Sequence, residues 1–552
     1  MSDPNPASSK TPVAIIGGGP VGMMLAMHLQ RAGVDCLIVN AEPGPRWHPK
    51  GSTQNARTME HYRRLGIAAG IRAQGLPADY PTDVGYFTRL TGWELSRIAM
   101  PSDREKQRMA TEAGPTDQVP EPLLRCNQMY AEAYAYKHLQ TLPGITRRYG
   151  WRCVAFTENT DGVALIIEEV TSGRQETFDA AYLVGCDGGQ SMVRRQLGIR
   201  YGGETLGAQA YAAGPSVSTY LRAPGFFDRI PHKRCWQYWT VNRDIRSNTV
   251  VLDGSDSLLF TTRLRNADDK PDEAIIARQF CASFGQNIDL EFIAHWPWTA
   301  GRALVADSFG RGRVLLAGDA VHLFTPTGGF GMNTGVDDAV NLAWKLAALV
   351  QGWGGPGLLA SYEIERQPIA HRNTGAAKQF ARNVGNVPVG EAMDEDSAAG
   401  VEERKAATAF LADFDEEFAS LGVQLGARYD TSPVIADDQA APPADDIANY
   451  RPTSRPGGRT PHLWLQDRSS LYDHFGAGFT LLRFGKTSDT RRLEASAAAR
   501  GMPLKIVDVD LEAGRDLYER DLALIRPDNY VAWRGNEVPD DCDALIGRIT
   551  GF

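Results

Sequence analysis

Residues 13–40, VAIIGGGPVGMMLAMHLQRAGVDCLIVN, restrict the fold more than any other stretch of the chain. An apolar run at Val13–Ile16 meets three glycines and Pro20, and apolar residues then recur at helical spacing to Arg31. Gly33 stops them before a second apolar run over Asp35–Asn40. This order predicts strand, tight turn, helix, strand, which is a βαβ unit. Gly17, Gly19 and Gly22 fit the GxGxxG spacing. Those glycines permit a tight turn, close approach of backbone to a pyrophosphate, and close packing of helix on strand. The helix N-terminus adds partial positive charge, so a dinucleotide is expected here.

The acid that commonly holds the adenosine ribose at the end of the second strand is absent from its usual place. Asn40 stands there, 23 residues after Gly17, and Glu42 follows two positions on. Asn40 can hydrogen-bond a ribose hydroxyl without charge, and Glu42 could reach it across a bulged strand end; each is equally readable as a surface residue.

Two further stretches repeat the design. AAYLVGCDGGQSMVRRQLGI reads as a strand, then Asp187-Gly188-Gly189, then a short helix. GRVLLAGDA reads as a buried strand over Val314–Ala317 that delivers Gly318 and Asp319 at its C-terminal end. Ligands of open α/β sheets bind at that end of the strands. One extended ligand with phosphates and hydroxyls explains three glycine-rich strand ends at once.

The rest of the composition narrows the class. A chain of 552 residues with 43% hydrophobic content can form about two to four domains. The net charge of −9 and the lack of a basic run exclude an electrostatic nucleic-acid surface. Seven scattered cysteines without a CxxC pair offer neither a disulfide framework nor a metal site, so no metal is expected. The opening MSDPNPASSKTP is polar, and the apolar stretch after it is broken by glycines and Pro20. Neither a signal peptide nor a membrane span is expected, and the cytoplasm is the expected compartment.

Alternating segments such as CWQYWTVNR and SLLFTTRLR predict an antiparallel sheet inserted between dinucleotide-binding pieces. The expected organisation is therefore a Rossmann-like α/β domain in two parts, 1–200 and 301–385, with the sheet at 201–300. A connector at 386–449 and a small α/β domain at 450–552 follow. Trp236, Tyr238, Trp296 and Trp298 would either wall a substrate pocket or fill the core.

The combination of Gly17-Gly19-Gly22, Cys186-Asp187-Gly188, RTMEHYRRLG and GDAVHLFTPTGGFGMNTGVDDAVNLAWKL resembles the group A flavoprotein monooxygenases, the aromatic hydroxylases typified by para-hydroxybenzoate hydroxylase. RPGGRTPHLWL, FTLLRFG and RPDNYVAWRG resemble the subgroup with a thioredoxin-like third domain: phenol hydroxylase, 3-(3-hydroxyphenyl)propionate hydroxylase and polyketide hydroxylases. The resemblance implies FAD as cofactor, NADPH or NADH as electron donor, O₂ as co-substrate and a small aromatic substrate. Its chemistry would be hydroxylation of a phenolic ring through a C4a-hydroperoxyflavin.

By the same resemblance Asp319, beside Gly318, would bond the ribityl chain and Pro326 would flank the flavin ring. The backbone of Gly331, Met332 and Asn333 would face its pyrimidine edge. Arg125 and Gln128 match positions near the FAD phosphates or ribityl chain, Lys50 a position between FAD and NAD(P)H, and Asp187 an aspartate linked to both cofactors. Arg57 is shared by the subgroup, with a structural role also open.

Yeast-type phenol hydroxylases carry an acid five positions before the RTME arginine, where this chain has Ser52. Their substrate-deprotonating machinery therefore does not transfer. Tyr238 and His295 are the candidate polar contacts to substrate; His322, within GDAVH, is a third and fits scaffold better. The last domain lacks CxxC and is expected to serve packing or dimerisation, which makes a homodimer an expected state. Two other readings share these motifs: Baeyer–Villiger or epoxidising chemistry on an aromatic polyketide, and a flavin-binding redox sensor without oxygen transfer.

Overall fold

A computed structural model describes residues 9–552 apart from 206–213, 265–269, 413, 415 and 486–488; the first eight residues of the polar N-terminus lie outside the described residues. The strand Ser9–Ile16 ends in four buried apolar residues because it lies inside a parallel sheet, where both faces are covered. The strand order is Gly310–Arg311, Val314–Leu316, Gln175–Gly185, Ser9–Ile16, Cys36–Asn40, Ile145–Tyr149, with an antiparallel hairpin of Trp151–Glu158 and Val163–Glu169 added beside Gln175–Gly185. Ile16 pairs with Gly185 and Gly185 with Leu316, so three adjacent parallel strands end at one level. The three glycine-rich stretches read from the sequence thereby come together at one edge of the sheet.

The helix Pro20–Arg31 follows the first turn, with proline at its start, where its missing N–H costs nothing. Packed on it is the helix Phe330–Val350, buried over nearly its whole length. A 21-residue helix that is apolar on most faces belongs inside a large protein, and here it passes through the main core. Among the described residues no helix is long and apolar enough to cross a membrane.

The second sheet has seven strands in the order Glu291–Ala300, Gly214–Arg222, Ser257–Arg263, Arg246–Val251, Gln237–Val241, Val84–Phe87, Glu94–Ile98. Two of them come from residues 84–98, ahead of the expected 201–300 segment, because Gln237–Val241 pairs in parallel with Val84–Phe87. The helix Ala398–Leu411, from the expected connector, packs on the outer strand, where Thr408 Oγ1 donates to Leu95 O. The C-terminal four-stranded sheet runs Leu504–Val509, Phe479–Phe484, Leu522–Ile525, Val531–Gly535. Its core is shared with Trp344 and Trp353 at the end of the buried helix.

Candidate functional site

The three strand ends are joined by backbone hydrogen bonds. Gly17 N donates to Val39 O at 2.7 Å, Cys186 N to Ile16 O at 2.7 Å, and Ala317 N to Gly185 O at 3.0 Å. Such closeness explains the glycines. A Cβ on Gly17, whose φ is 113°, would stand 2.2 Å from Cys186 O, and one on Gly22 would stand 1.9 Å from Gly17 O. Gly19 differs: a Cβ there would meet no atom within 4 Å. Its open side is where the helix N-terminus faces a cavity of about 1000 Å³.

Asn40, which stands in the expected acid's place, has its side chain occupied. Its Oδ1 accepts from Gly18 N at 3.0 Å and its Nδ2 donates to Glu42 O at 3.1 Å, while Tyr149 Oη donates to Gly18 O at 3.1 Å. A carboxylate could accept from Gly18 but could not donate to Glu42. Asn40 therefore holds the glycine loop in shape, and both it and the exposed Glu42 line the cavity wall.

Asp187 Oδ2 caps the short helix Met192–Gln196, accepting from Met192 N at 2.7 Å and Val193 N at 3.2 Å. Its buried Oδ1 has no partner among the described residues. Asp319, Pro326, Gly331 and Met332 line the cavity from the third strand end, Lys50 from a loop and Gln128 from the start of the helix Gln128–Leu139. The helix Phe330–Val350 begins at Gly329 with no side-chain cap and no acid in its first turn. Its free N–H groups and its dipole favour negative charge at that end. Open space at Gly19, an unpartnered acceptor on Asp187 and an uncapped helix start suit the pyrophosphate, hydroxyls and ring of FAD.

Gly22, Gly318, Arg57 and Asn333 stand behind the cavity wall. Gly318 N donates to Asp338 Oδ2 at 3.2 Å. Asn333 Oδ1 accepts from Asn55 N at 3.0 Å and its Nδ2 donates to Thr53 O at 3.0 Å, which ties the helix start to the 53–55 segment. Arg57 is buried; it bonds Asp337, Glu60 and the carbonyl of Asp528 and so links the central helix to the C-terminal sheet region. Burial pushes the Asp337 carboxyl up, but Arg366, His61 and Arg57 outweigh it and hold the group well below its ordinary range.

The antiparallel sheet forms the opposite wall. Trp236, Trp239, Trp296 and Trp298 line the cavity, as do Gln237 and Asn248. Gln237 Oε1, Asn248 Nδ2 and Trp236 Nε1 are buried and have no partner among the described residues. Arg125 turns toward this wall: its guanidinium lies 3.8 Å from the centre of the Trp236 ring, and its Nε has no partner among the described residues. At the mouth, His48 stacks on Trp296 with ring centres 4.7 Å apart, and exposed Trp47 meets the same ring edge-on.

The two expected substrate contacts are corrected by strand alternation. Successive side chains of a strand point to opposite faces, so Trp239 and Trp296 face the cavity while Tyr238 and His295 face away. Tyr238 packs against Phe226 and Phe87 and accepts from Cys235 N at 2.8 Å. His295 Nδ1 lies 3.0 Å from Thr219 Oγ1, and its Nε2 turns to Glu273. His322, buried completely, pairs with Asp338 at 2.7 Å, in keeping with a scaffold role.

Sequence reasoning missed the part played by Glu417, Phe418, Ser420 and Gln424, which line the cavity from the segment read as a connector. Glu417 is 8% exposed, and its Oε1 accepts from Gly328 N at 3.3 Å. Burial pushes its carboxyl up to about 7, an effect only partly offset by the Gly328 hydrogen bond and the charge of Arg125. One glutamate among the four acids of the run DFDEEF carries no local signal of this.

Comparison with known proteins accords with this geometry. A family model described as an FAD binding domain matches residues 10–377, and one described as an aromatic-ring hydroxylase C-terminal domain matches residues 453–551. The FAD-dependent monooxygenase apdD of Emericella nidulans is 30% identical over 99% of this chain and 92% of that protein. Chromopyrrolic acid-soaked RebC with bound 7-carboxy-K252c superposes with a TM-score of 0.88 at 33% identity, covering 99% of this chain and 100% of that one. The flavin-dependent monooxygenase PieE, in complex with FAD and substrate, gives 0.87 at 28% identity, covering 98% and 99%.

Proposed function

The chain belongs to the FAD-binding aromatic-ring hydroxylases, and from that membership we propose that it inserts one oxygen atom of O₂ into a phenolic compound of more than one ring, at the expense of NADH or NADPH. The observation that carries this reading is one continuous cavity of about 1000 Å³, glycine-lined at one end and walled by four tryptophans at the other. The tryptophan faces suit a flat aromatic body. Unpartnered Gln237 Oε1, Asn248 Nδ2 and Trp236 Nε1 suit oxygen substituents on its rim.

When bound, FAD supplies electron transfer from NAD(P)H and activation of dioxygen. Open backbone at Gly19, with Asp187, Asp319, Gln128 and Lys50, would hold its phosphates and hydroxyls, and Pro326, Gly331 and Met332 would meet its ring. The N–H groups that open the helix Phe330–Val350 stabilise negative charge there. The tryptophan wall excludes water from the reacting ring. All seven cysteines are free, which suits a reducing cytoplasm. Cell fractionation tests that location, and light scattering tests the expected homodimer.

The deciding experiment records the flavin spectrum of the purified protein and then NADH and NADPH oxidation with phenols, hydroxybenzoates and aromatic polyketides. Product mass and peroxide release are followed together. A compound that speeds oxidation and gains one oxygen atom supports the reading; a protein that retains no flavin after reconstitution overturns it.

A further inference from the structure

We propose that Glu417 is the group that takes the phenolic proton from the substrate, an inference that rests on the aromatic hydroxylase reading above. The acid found ahead of the RTME arginine in yeast-type phenol hydroxylases is replaced here by Ser52, whose Oγ accepts from Asn127 Nδ2 at 2.9 Å. A serine hydroxyl is no base for a phenol, so the carboxylates of the wall are the groups to compare.

Five carboxylates line the cavity. Glu42 is exposed beside the glycine loop, Glu132 accepts from Gln128, Asp187 caps its own helix, and Asp319 stands exposed at a strand end. All four belong to the glycine-lined side. Glu417 alone lines the cavity beside Gly328, on the side where Arg125 stacks on Trp236. Its carboxylate makes one hydrogen bond among the described residues, and that bond engages Oε1.

Among the described residues, the titratable and charged groups facing Glu417 are Arg125, from the strand Leu124–Arg125, and Tyr86, from Val84–Phe87. The Tyr86 hydroxyl is buried without a partner among the described residues, and burial holds it far above the ordinary phenol range, so it stays neutral. Arg125 is 4% exposed, and its guanidinium supplies a positive charge on the same side of the cavity.

The step balances within these groups. The substrate O–H bond breaks, its proton forms an O–H bond on the Glu417 carboxylate, and the electron pair stays on the phenolate oxygen. Arg125 offsets the new negative charge. A carboxyl lifted toward neutrality is matched to this task far better than a surface glutamate.

The test uses the oxidised holoenzyme and dinitrophenol, a phenol that is already an anion throughout the working range. A phenolate can sit against Glu417 only when the carboxyl holds the proton. Its affinity in the wild type is therefore expected to be flat below about pH 7 and to weaken about tenfold per pH unit above it. Glu417→Gln is expected to abolish that dependence with flavin content unchanged, and Glu417→Asp to move the break to a different pH. An identical pH dependence in wild type and Glu417→Gln overturns the proposal, as does a flat profile in the wild type. A wild type with full flavin content that binds no dinitrophenol overturns the aromatic-cavity reading itself, a result distinct from the other two.

Discussion

His322 Nε2 lies 2.7 Å from Asp338 Oδ2, with both side chains completely buried. The same carboxylate accepts from Gly318 N at 3.2 Å and from Arg366 Nε at 2.8 Å. Asp338 thus fastens the third strand end to the central helix. Burial pushes its carboxyl up, but His322 and Arg366 prevail and hold it below the ordinary range. The stability this contributes is fully present above the unfolded value near 4 and is lost as pH falls through the lower folded value. Asp338→Asn leaves Arg366 with one partner fewer and is expected to cost about 3–5 kcal/mol. Thermal unfolding at neutral and acid pH checks this: the variant should lie well below wild type at neutral pH and approach it in acid.

The glycine loop predicts two opposite outcomes from one kind of change. Gly22→Ala drives a Cβ into Gly17 O and is expected to prevent correct folding of the loop. Gly19→Ala meets only open space, so the flavin-free protein should keep its stability to within about 0.5 kcal/mol. Its affinity for FAD should nonetheless fall at least about tenfold, because the added methyl fills the path of backbone to pyrophosphate. Thermal unfolding of the apoprotein and a fluorescence titration with FAD separate the two effects.

Glu417 is expected to weaken the fold when ionised. Its carboxyl rises from an ordinary value of 4.5 to about 7, so the folded protein binds the proton more tightly than the unfolded chain. Stability from this group falls as pH climbs through that interval and stays lower above it. Glu417→Gln escapes the loss and should gain up to about 3 kcal/mol over wild type at about pH 8, with little gain at about pH 5. Melting temperatures of the two holoproteins at both pH values decide it.

Adjacent residues on one strand should behave differently. Trp296→Ala removes part of the cavity wall and the ring on which His48 stacks, and should raise KM about tenfold. His295→Ala changes the opposite face and should leave KM and kcat within about twofold. Steady-state kinetics with one substrate from the panel reads both.

The three strand ends were legible because close approach of backbone admits only glycine, and Gly17 and Gly22 leave that mark in any sequence. The orientation of the cavity strands was not. All five residues of Gln237–Val241 are buried, so no polar alternation distinguishes the Tyr238 face from the Trp239 face. By position Asn40 looks like a neutral stand-in for an acid, whereas its amide donates and accepts at once. Glu417 acquires its environment from Gly328, 89 residues away, and Arg57 from Asp337, 280 residues away. Chemistry created by contacts that distant has no local signature.

The joining of the first, second and third strand ends also fixes when the protein can take up its cofactor. Gly17 leaves the ribosome early, but Asp187 and Gly318 complete its surroundings only much later, and Asp338 later still. At about 5–20 residues per second the interval between Gly17 and Asp338 is roughly 15–60 s. Throughout that time the nascent chain has a glycine turn and no place for a flavin. Capture of FAD is thus a late event of biosynthesis, and cellular flavin supply acts on a chain whose first βαβ unit has long been made.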